Sequence, residues 1–546
     1  MKRRSLGVAI LLLVPLTMHG WAFAQSQSTD PIVASAKLAV VDTDSGKVQG
    51  FIHTGTYTYR GIPYAKAERF MPPTKVPKWE GTRTVLAYGY ICPQVVAHRY
   101  DDIVQFISDQ RFWIADDDCQ NLNVWTPGIN DGKKRPVMVW LHGGGFSEGS
   151  SIALKAYDGD NLSKKGDVVF VTVNHRLNVL GLLDLSAYGN KYKYSGNVGI
   201  MDLVTALEWV KNNIANFGGD PSNVTIFGQS GGGGKVSTLL ATPAAKGLFH
   251  KAIIESGSIR RMGMTLAEQK TTRRVAELTL QYAGLDKSQV DQLQQLPYDK
   301  LAEASDKALK TAGEEFGIRG LFGPGIMWSP VVDGDYIPLQ PFGTAAPPES
   351  KDVSLMVGST LNEFQSLPNP RTRGRENWGL DEVKTYLKEK YGDKTDAVIA
   401  AYQKTYPKMK PNEWILVDST FRPGAVTVAR MKADQKGAPV YNYLFTWQTP
   451  VLDSFWHAGH SMEIPFVFNN AELGEQSTGG GKAVYVLTDK VSQAWINFAR
   501  TGNPNHKGLP NWPAFTRENG ATMILDNTCE VRNNHDKDLM MLLAAE

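Results

Sequence analysis

Cysteine is scarce: Cys92, Cys119 and Cys529 are the three in 546 residues. No CxxC pair and no Cys/His cluster offers the ligand spacing of a zinc centre, so no metal is expected. In an exported chain three thiols divide naturally into one bridge and one spare. A charge surplus is missing too. Lys and Arg number 58 against 55 Asp and Glu, and the excess of three is Lys2, Arg3 and Arg4, inside a stretch, Met1–Ala24, that holds no acid. That stretch reads as a secretory leader. The basic start precedes the apolar run from Leu6 to Leu16, and Ala22-Phe23-Ala24 forms a small-residue cleavage site before Gln25. An uncleaved anchor is the rival reading, and Arg3-Arg4 gives only weak support for twin-arginine export. Without the leader the charges balance, leaving no field to steer a polyanion. Lys133-Lys134-Arg135, the densest basic run, reads as a solvated turn before an apolar strand. Nucleic acid is therefore not expected as a partner. Long hydrophobic runs are also absent: none reaches the about 20 residues that a bilayer span requires. The expectation is an exported protein, in the periplasm or the medium.

The remainder has globular composition, 42% hydrophobic and 21% charged, which excludes a disordered chain. At about 100–200 residues per domain the length allows three or four domains, yet no internal repeat marks them. Residues 25–36 form a polar, flexible mature N-terminus, and Lys37–His53 reads as a hairpin about Asp44-Ser45-Gly46. Short runs apolar on both faces follow: Val137–Leu141, Val168–Val173, Val224–Phe227, Ala252–Ile254, Ser354–Val357 and Val440–Phe445. Such runs are strands of a mainly parallel sheet covered by helices. Between them, Ile200, Leu203, Val204, Leu207, Val210 and Ile214 recur at helical spacing until Gly218-Gly219 stops the helix. The pattern implies an α/β architecture. Two charged helical stretches, near 262–315 and 375–435, interrupt it as excursions of the sort that wall a ligand site.

The strongest chemical signal is Val224-Thr225-Ile226-Phe227-Gly228-Gln229-Ser230-Gly231-Gly232, a G-x-S-x-G turn between an apolar strand and a helix. That is the setting of a nucleophile elbow, with Ser230 as nucleophile. The four glycines Gly231–Gly234 cost roughly 3–4 kcal/mol of helix propensity against alanine. Something must need backbone without side chains there, either close packing or approach by a substrate. The rival reading is a flexible glycine loop with an incidental serine. Leu141-His142-Gly143-Gly144-Gly145-Phe146 follows another strand and is an HGGG turn, whose N–H groups suit an oxyanion. His142 is a base candidate by residue type, but it belongs to that loop and is expected to order it.

Three longer motifs accompany these: Tyr59-Arg60-Gly61-Ile62-Pro63-Tyr64-Ala65, Asp118-Cys119-Gln120-Asn121-Leu122-Asn123-Val124-Trp125 and Asn216-Phe217-Gly218-Gly219-Asp220-Pro221-Ser222-Asn223-Val224-Thr225. With them the chain resembles the type-B carboxylesterase/cholinesterase family of α/β-hydrolases from about Val48 to Arg532. The resemblance implies one α/β-hydrolase domain over 37–546, a large mainly parallel sheet flanked by helices, and no cofactor. It implies an oxyanion hole from the N–H groups of Gly144, Gly145 and Gly231. Relatives commonly carry Ala where Gly231 stands, so the adjacent pocket is expected to gain room.

In this fold the triad runs serine, acid, histidine. Glu363 is the first carboxylate after the strand Leu355–Val357, where the family places its acid; Asp333 and Asp335 are rivals. Thr360 and Phe364 depart from a frequent Asn and Gly, so the acid's loop is expected to differ in shape. His457, His460, His506 and His535 follow Glu363, and spacing does not choose between His457 and His460. The family motif does, because its histidine precedes a Glu-Ile-x-Phe-Val-Phe stretch, here after His460. By the same resemblance Ser256 supports the acid and base, and Cys92 pairs with Cys119, leaving Cys529 free. Within the disulfide loop Ile103, Val104, Phe106, Ile107, Phe112 and Trp113 read either as local core or as the lining of a gorge mouth. Gln229 stands where cholinesterases carry Glu, and no tryptophan matches their choline-binding position. The implied activity is therefore a secreted serine carboxylesterase acting on small to medium, neutral or aromatic esters through an acyl-enzyme. A lipase acting on long-chain esters and a non-catalytic, neuroligin-like binding protein are the alternatives.

Overall fold

The computed structural model describes residues 31–95, 102–320, 323–366 and 374–543. The leader expected at 1–24 lies outside them, as does half of the expected flexible N-terminus. Among the described residues an eleven-stranded sheet forms the centre. Its spatial order is Glu530–Asn533, Ala521–Leu525, Val440–Phe445, Ser354–Thr360, Lys251–Glu255, Gly219–Gln229, Arg135–Leu141, Val169–Val173, Asn121–Thr126, Thr56–Pro63 and Phe51–His53. From Ala521–Leu525 to Val169–Val173 neighbours run parallel, and at both margins the pairing turns antiparallel. This is the α/β-hydrolase sheet that the sequence motifs imply.

Arg135–Leu141, Val169–Val173 and Lys251–Glu255 are buried at every position, which explains why the runs Val137–Leu141 and Ala252–Ile254 within them are apolar on both faces. Side chains alternate between two cores as a strand's period of two demands. Val137, Val139, Leu141, Val224 and Ile226 face one core with the helix Val198–Asn213. Met138, Trp140 and Phe227 face the other, with the helix Lys482–Thr501. The helix read from Ile200 to Ile214 runs Val198–Asn213 and passes through a tight turn, Ile214–Phe217, to Gly218 in the left-handed conformation (φ 79°).

The hairpin expectation needs correction. Val40–Thr43 and Gly46–Gln49 do pair antiparallel, but Phe51–His53 leaves them to pair with Thr56–Pro63 as the edge strand of the large sheet. The chain crosses at Gly50 so close to the Thr58 carbonyl that a side chain would overlap it. The two excursions hold the helices Gln269–Tyr282 and Tyr298–Phe316, then Leu380–Tyr391 and Thr395–Thr405. The helix Phe421–Asp434 packs directly on the strands Ser354–Thr360 and Val440–Phe445, so it covers the sheet. No described helix is long and apolar enough to cross a membrane.

Candidate active site

Ser230 follows the last residue of the strand Gly219–Gln229 and precedes the helix Gly231–Leu240. Its backbone, at φ 58° and ψ −125°, lies where non-glycine residues are strained. Its N–H donates to the Glu255 carbonyl at 2.8 Å, and its own carbonyl accepts from Gly234 at 3.0 Å, so both sides of the turn are tied. Why four glycines follow is now plain. A Cβ on Gly228 would lie 2.6 Å from the Leu141 carbonyl oxygen. One on Gly232 would overlap that same carbonyl, one on Gly233 would sit 2.9 Å from Gly257 Cα, and one on Gly234 2.9 Å from Met262 Cγ. Close packing accounts for the run.

The HGGG turn leaves the neighbouring strand, Arg135–Leu141, at the same sheet end, where crossing between adjacent parallel strands leaves a crevice. Gly144 (φ 85°) and Gly145 (φ 64°) are left-handed, which turns successive N–H groups to one side. Among the described residues the N–H groups of Gly144, Gly145 and Gly231 find no backbone or side-chain acceptor. The expected extra room beside Gly231 is absent. A Cβ there would overlap the backbone of Gly145, so the loop has closed into the space that an alanine would hold.

Glu363 lies just past the strand Ser354–Thr360, and His460 lies in the long loop that follows the neighbouring parallel strand Val440–Phe445. The chain segments carrying them are zipped together: Asn362 N–H donates to the Ala458 carbonyl at 3.0 Å and His460 N–H to the Glu363 carbonyl at 3.1 Å. His460 Nδ1 hydrogen-bonds Glu363 Oε2. Glu363 Oε1 accepts from the Ser256 hydroxyl at 2.6 Å and from Thr360 N–H at 2.9 Å. Both carboxylate oxygens are thereby used, and the Nδ1 proton is assigned by the acid. On the far side of the ring, Nε2 faces Gln229 Nε2 at 3.2 Å. The structure brings Glu363, His460, Ser256 and Gln229 into one network, whereas the Ser230 hydroxyl makes no hydrogen bond among the described residues. Catalytic hydrogen bonds are commonly long before substrate binds.

The family model for the carboxylesterase family matches residues 37–541. The chain belongs to the carboxylesterase family. Para-nitrobenzyl esterase of Bacillus subtilis is 35% identical over 511 residues, covering 91% of this chain and 97% of the relative. Phenmedipham hydrolase of Pseudarthrobacter oxydans is 32% identical, covering 90% and 96%. Among solved structures, an esterase from anaerobic Clostridium hathewayi, described as hydrolysing aliphatic aromatic polyesters, superposes with a TM-score of 0.83. It is 38% identical, with 94% of this chain and 99% of that one covered. The protein is a carboxylic ester hydrolase.

Around the imidazole this carboxylesterase places two rings whose contact with it sequence reasoning did not foresee. Phe364 lies against His460 with ring centroids 3.9 Å apart and planes tilted by 32°, and Phe421 stands at 5.2 Å. The signal for Phe364 was its departure from glycine; Phe421, from a distant helix, gave none. Further buried acids lie near Glu363 and His460. Burial pushes Glu255 up to about 8, although Trp495 Nε1 donates to its Oε1 at 2.6 Å. Glu463 is driven well above the usual carboxylate range by burial and by Glu255 and Glu363 nearby. Burial, then Glu363, raises Asp418 to about 7 while it caps the N–H groups of Thr420, Phe421 and Arg422.

The rival positions are otherwise engaged. Asp333 accepts from Asn197 and from the N–H groups of Asp335 and Ile337, and Asp335 pairs with Lys193 at the surface. His457 contacts Gln448 at 3.4 Å, His506 hydrogen-bonds the Lys490 carbonyl, and His535 packs edge-on to Tyr406. His142 is buried in the glycine turn. A disulfide joins Cys92 to Cys119, and Cys529 is buried and free. Within that loop only Ile107 of the six apolar residues is buried, while Phe106, Phe112 and Trp113 are about half exposed, at 50%, 53% and 46%. They do not form a local core.

Proposed function

We propose that this carboxylesterase hydrolyses small to medium, neutral or aromatic esters through Ser230, His460 and Glu363. The observation carrying the proposal is the Glu363–His460 pair, zipped backbone to backbone at the sheet end where the elbow presents Ser230. His460 Nε2 takes the Ser230 proton as Oγ attacks the ester carbonyl, and Glu363 holds the tautomer and stabilises the imidazolium. The N–H groups of Gly144, Gly145 and Gly231 receive the developing oxyanion, each such donor being worth about 3–4 kcal/mol. His460 then gives the proton to the departing alkoxide, releasing the alcohol and leaving the acyl-enzyme. Water attacks next through the same base, and the acid is released with Ser230 restored.

Gln229, neutral beside the nucleophile, supports a neutral alcohol portion over a cationic one. Relatives named for nitrobenzyl and phenmedipham substrates support aromatic groups. The basic, then apolar, sequence of Met1–Ala24 and the Cys92–Cys119 disulfide support export to an oxidising compartment. Residues 37–546 act as one unit in this reading.

The test pairs wild type with Ser230→Ala on p-nitrophenyl esters graded in acyl length and aromatic acid. Turnover is expected to fall by about 10⁴-fold or more in the variant, and a fluorophosphonate is expected to label wild type alone. A purified, folded variant that keeps most of its activity would refute the assignment.

A further inference from the structure

Lys235 lies one helical turn beyond Gly231 and is fully buried. A buried amine ordinarily needs a carboxylate, but among the described residues no ion pair includes Lys235. Burial alone pushes it down to about 7. Its Nζ donates to the His142 carbonyl at 2.7 Å and lies 5.9 Å from the Phe146 ring centroid, both on the glycine turn. An amine and an ammonium both donate, so this bond survives either protonation state.

The contacts continue from His142. Its Nδ1 lies 2.9 Å from the Gly143 carbonyl oxygen. A carbonyl only accepts, so Nδ1 carries the proton and the ring is in one defined tautomer. Burial first, then Lys235, holds His142 well below the ordinary histidine range and hence neutral. The His175 ring stacks on it, with centroids 5.3 Å apart and planes at 27°. In a trans peptide the N–H opposite the Gly143 carbonyl is that of Gly144, and the N–H opposite the His142 carbonyl is that of Gly143. Two consecutive peptide planes of the turn are therefore pinned from behind, one by Lys235 and one by the His142 ring.

We propose that Lys235 is a positioning residue for the oxyanion donors, holding the His142–Gly145 backbone so that the Gly144 N–H points at the ester oxygen. Preorganised donors stabilise a transition state only while their dipoles stay aimed, and left-handed glycines do not hold themselves. The inference rests on the assignment of Gly144, Gly145 and Gly231 as the oxyanion hole.

Lys235→Met keeps length and removes the donor, whereas Lys235→Gln keeps a neutral donor. Both are compared with wild type by melting, p-nitrophenyl acetate kinetics and inhibition by an aryl trifluoromethyl ketone, which forms a charged tetrahedral adduct. In Lys235→Met we expect kcat about 10-fold lower with KM nearly unchanged, short of the about 10²–10³ lost on deleting a donor outright. The inhibitor Ki should rise by the factor by which kcat/KM falls, and Lys235→Gln should recover most of both. A folded Lys235→Met with wild-type kcat and Ki would overturn the proposal, as would a Gln variant that falls as far as Met. If Lys235→Met does not fold, His142→Phe tests the next link: the same split is expected, and an unchanged Ki overturns the proposal. Failure of the ketone to inhibit wild type would instead refute the serine-esterase assignment.

Discussion

At Gln229 an amide occupies the Nε2 lone pair of His460, the base in the proposed mechanism. Its Nε2 stands 3.2 Å from His460 Nε2. A neutral amide donates to neutral imidazole and, turned over, accepts from imidazolium, so it serves both protonation states. A carboxylate accepts only, and would favour the imidazolium. Gln229→Glu is therefore expected to move the acid limb of the kcat/KM–pH profile upward by about one unit; an unmoved limb would show that the amide does not face the working base. The sequence marked both Gln229 and Phe364 as departures from the family pattern, but not what they touch. Gln229 and His460 are 231 residues apart, and only the sheet's strand order makes them neighbours. Gly231 misled for the same reason: its missing side chain was legible, while the approach of Gly145 into that space was not.

Among the elements, the strand–elbow–helix unit was legible because its demands are local: a buried strand, a strained turn and glycines that let helix and strand touch. The disulfide loop is the opposite case. Its apolar residues read either as local core or as gorge lining, and most of them stay at the surface. With little core of its own, the loop depends on its closure. For a separation of 27 residues, chain entropy assigns the bridge roughly 3.5 kcal/mol. The double variant Cys92→Ser/Cys119→Ser should lower the urea midpoint accordingly at unchanged m-value, and a loss under about 1 kcal/mol would contradict the entropy argument.

Over the whole molecule, the site is embedded in buried acid. Glu255, with its carboxyl raised from 4.5 to about 8 by burial, is neutral in the folded enzyme where the unfolded chain would ionise it. Between those two values the unfolded state binds fewer protons, so this group's contribution to stability falls as pH rises from 4.5 and levels off above about 8. Glu255→Gln keeps an acceptor for Trp495 and removes the ionisation. The variant's melting temperature should gain on wild type as pH rises through that window, and equal shifts at pH 5 and pH 8 would refute the account.

Residue order alone determined the class of fold, the nucleophile elbow's strand–turn–helix form and both glycine turns, because buried strands, amphipathic helices and tight turns impose their patterns over a few consecutive residues. Supplemented by family resemblance, it also singled out an acid, a base and a cysteine pair. Tertiary structure decided the rest: that Phe364 and Phe421 enclose the imidazole, that Gln229 meets Nε2, that Gly145 fills the space beside Gly231, and that Lys235 reaches the His142 carbonyl. These contacts join segments separated by tens to hundreds of residues. No local periodicity encodes such pairs, since they exist only once parallel strands bring their ends to one edge of the sheet.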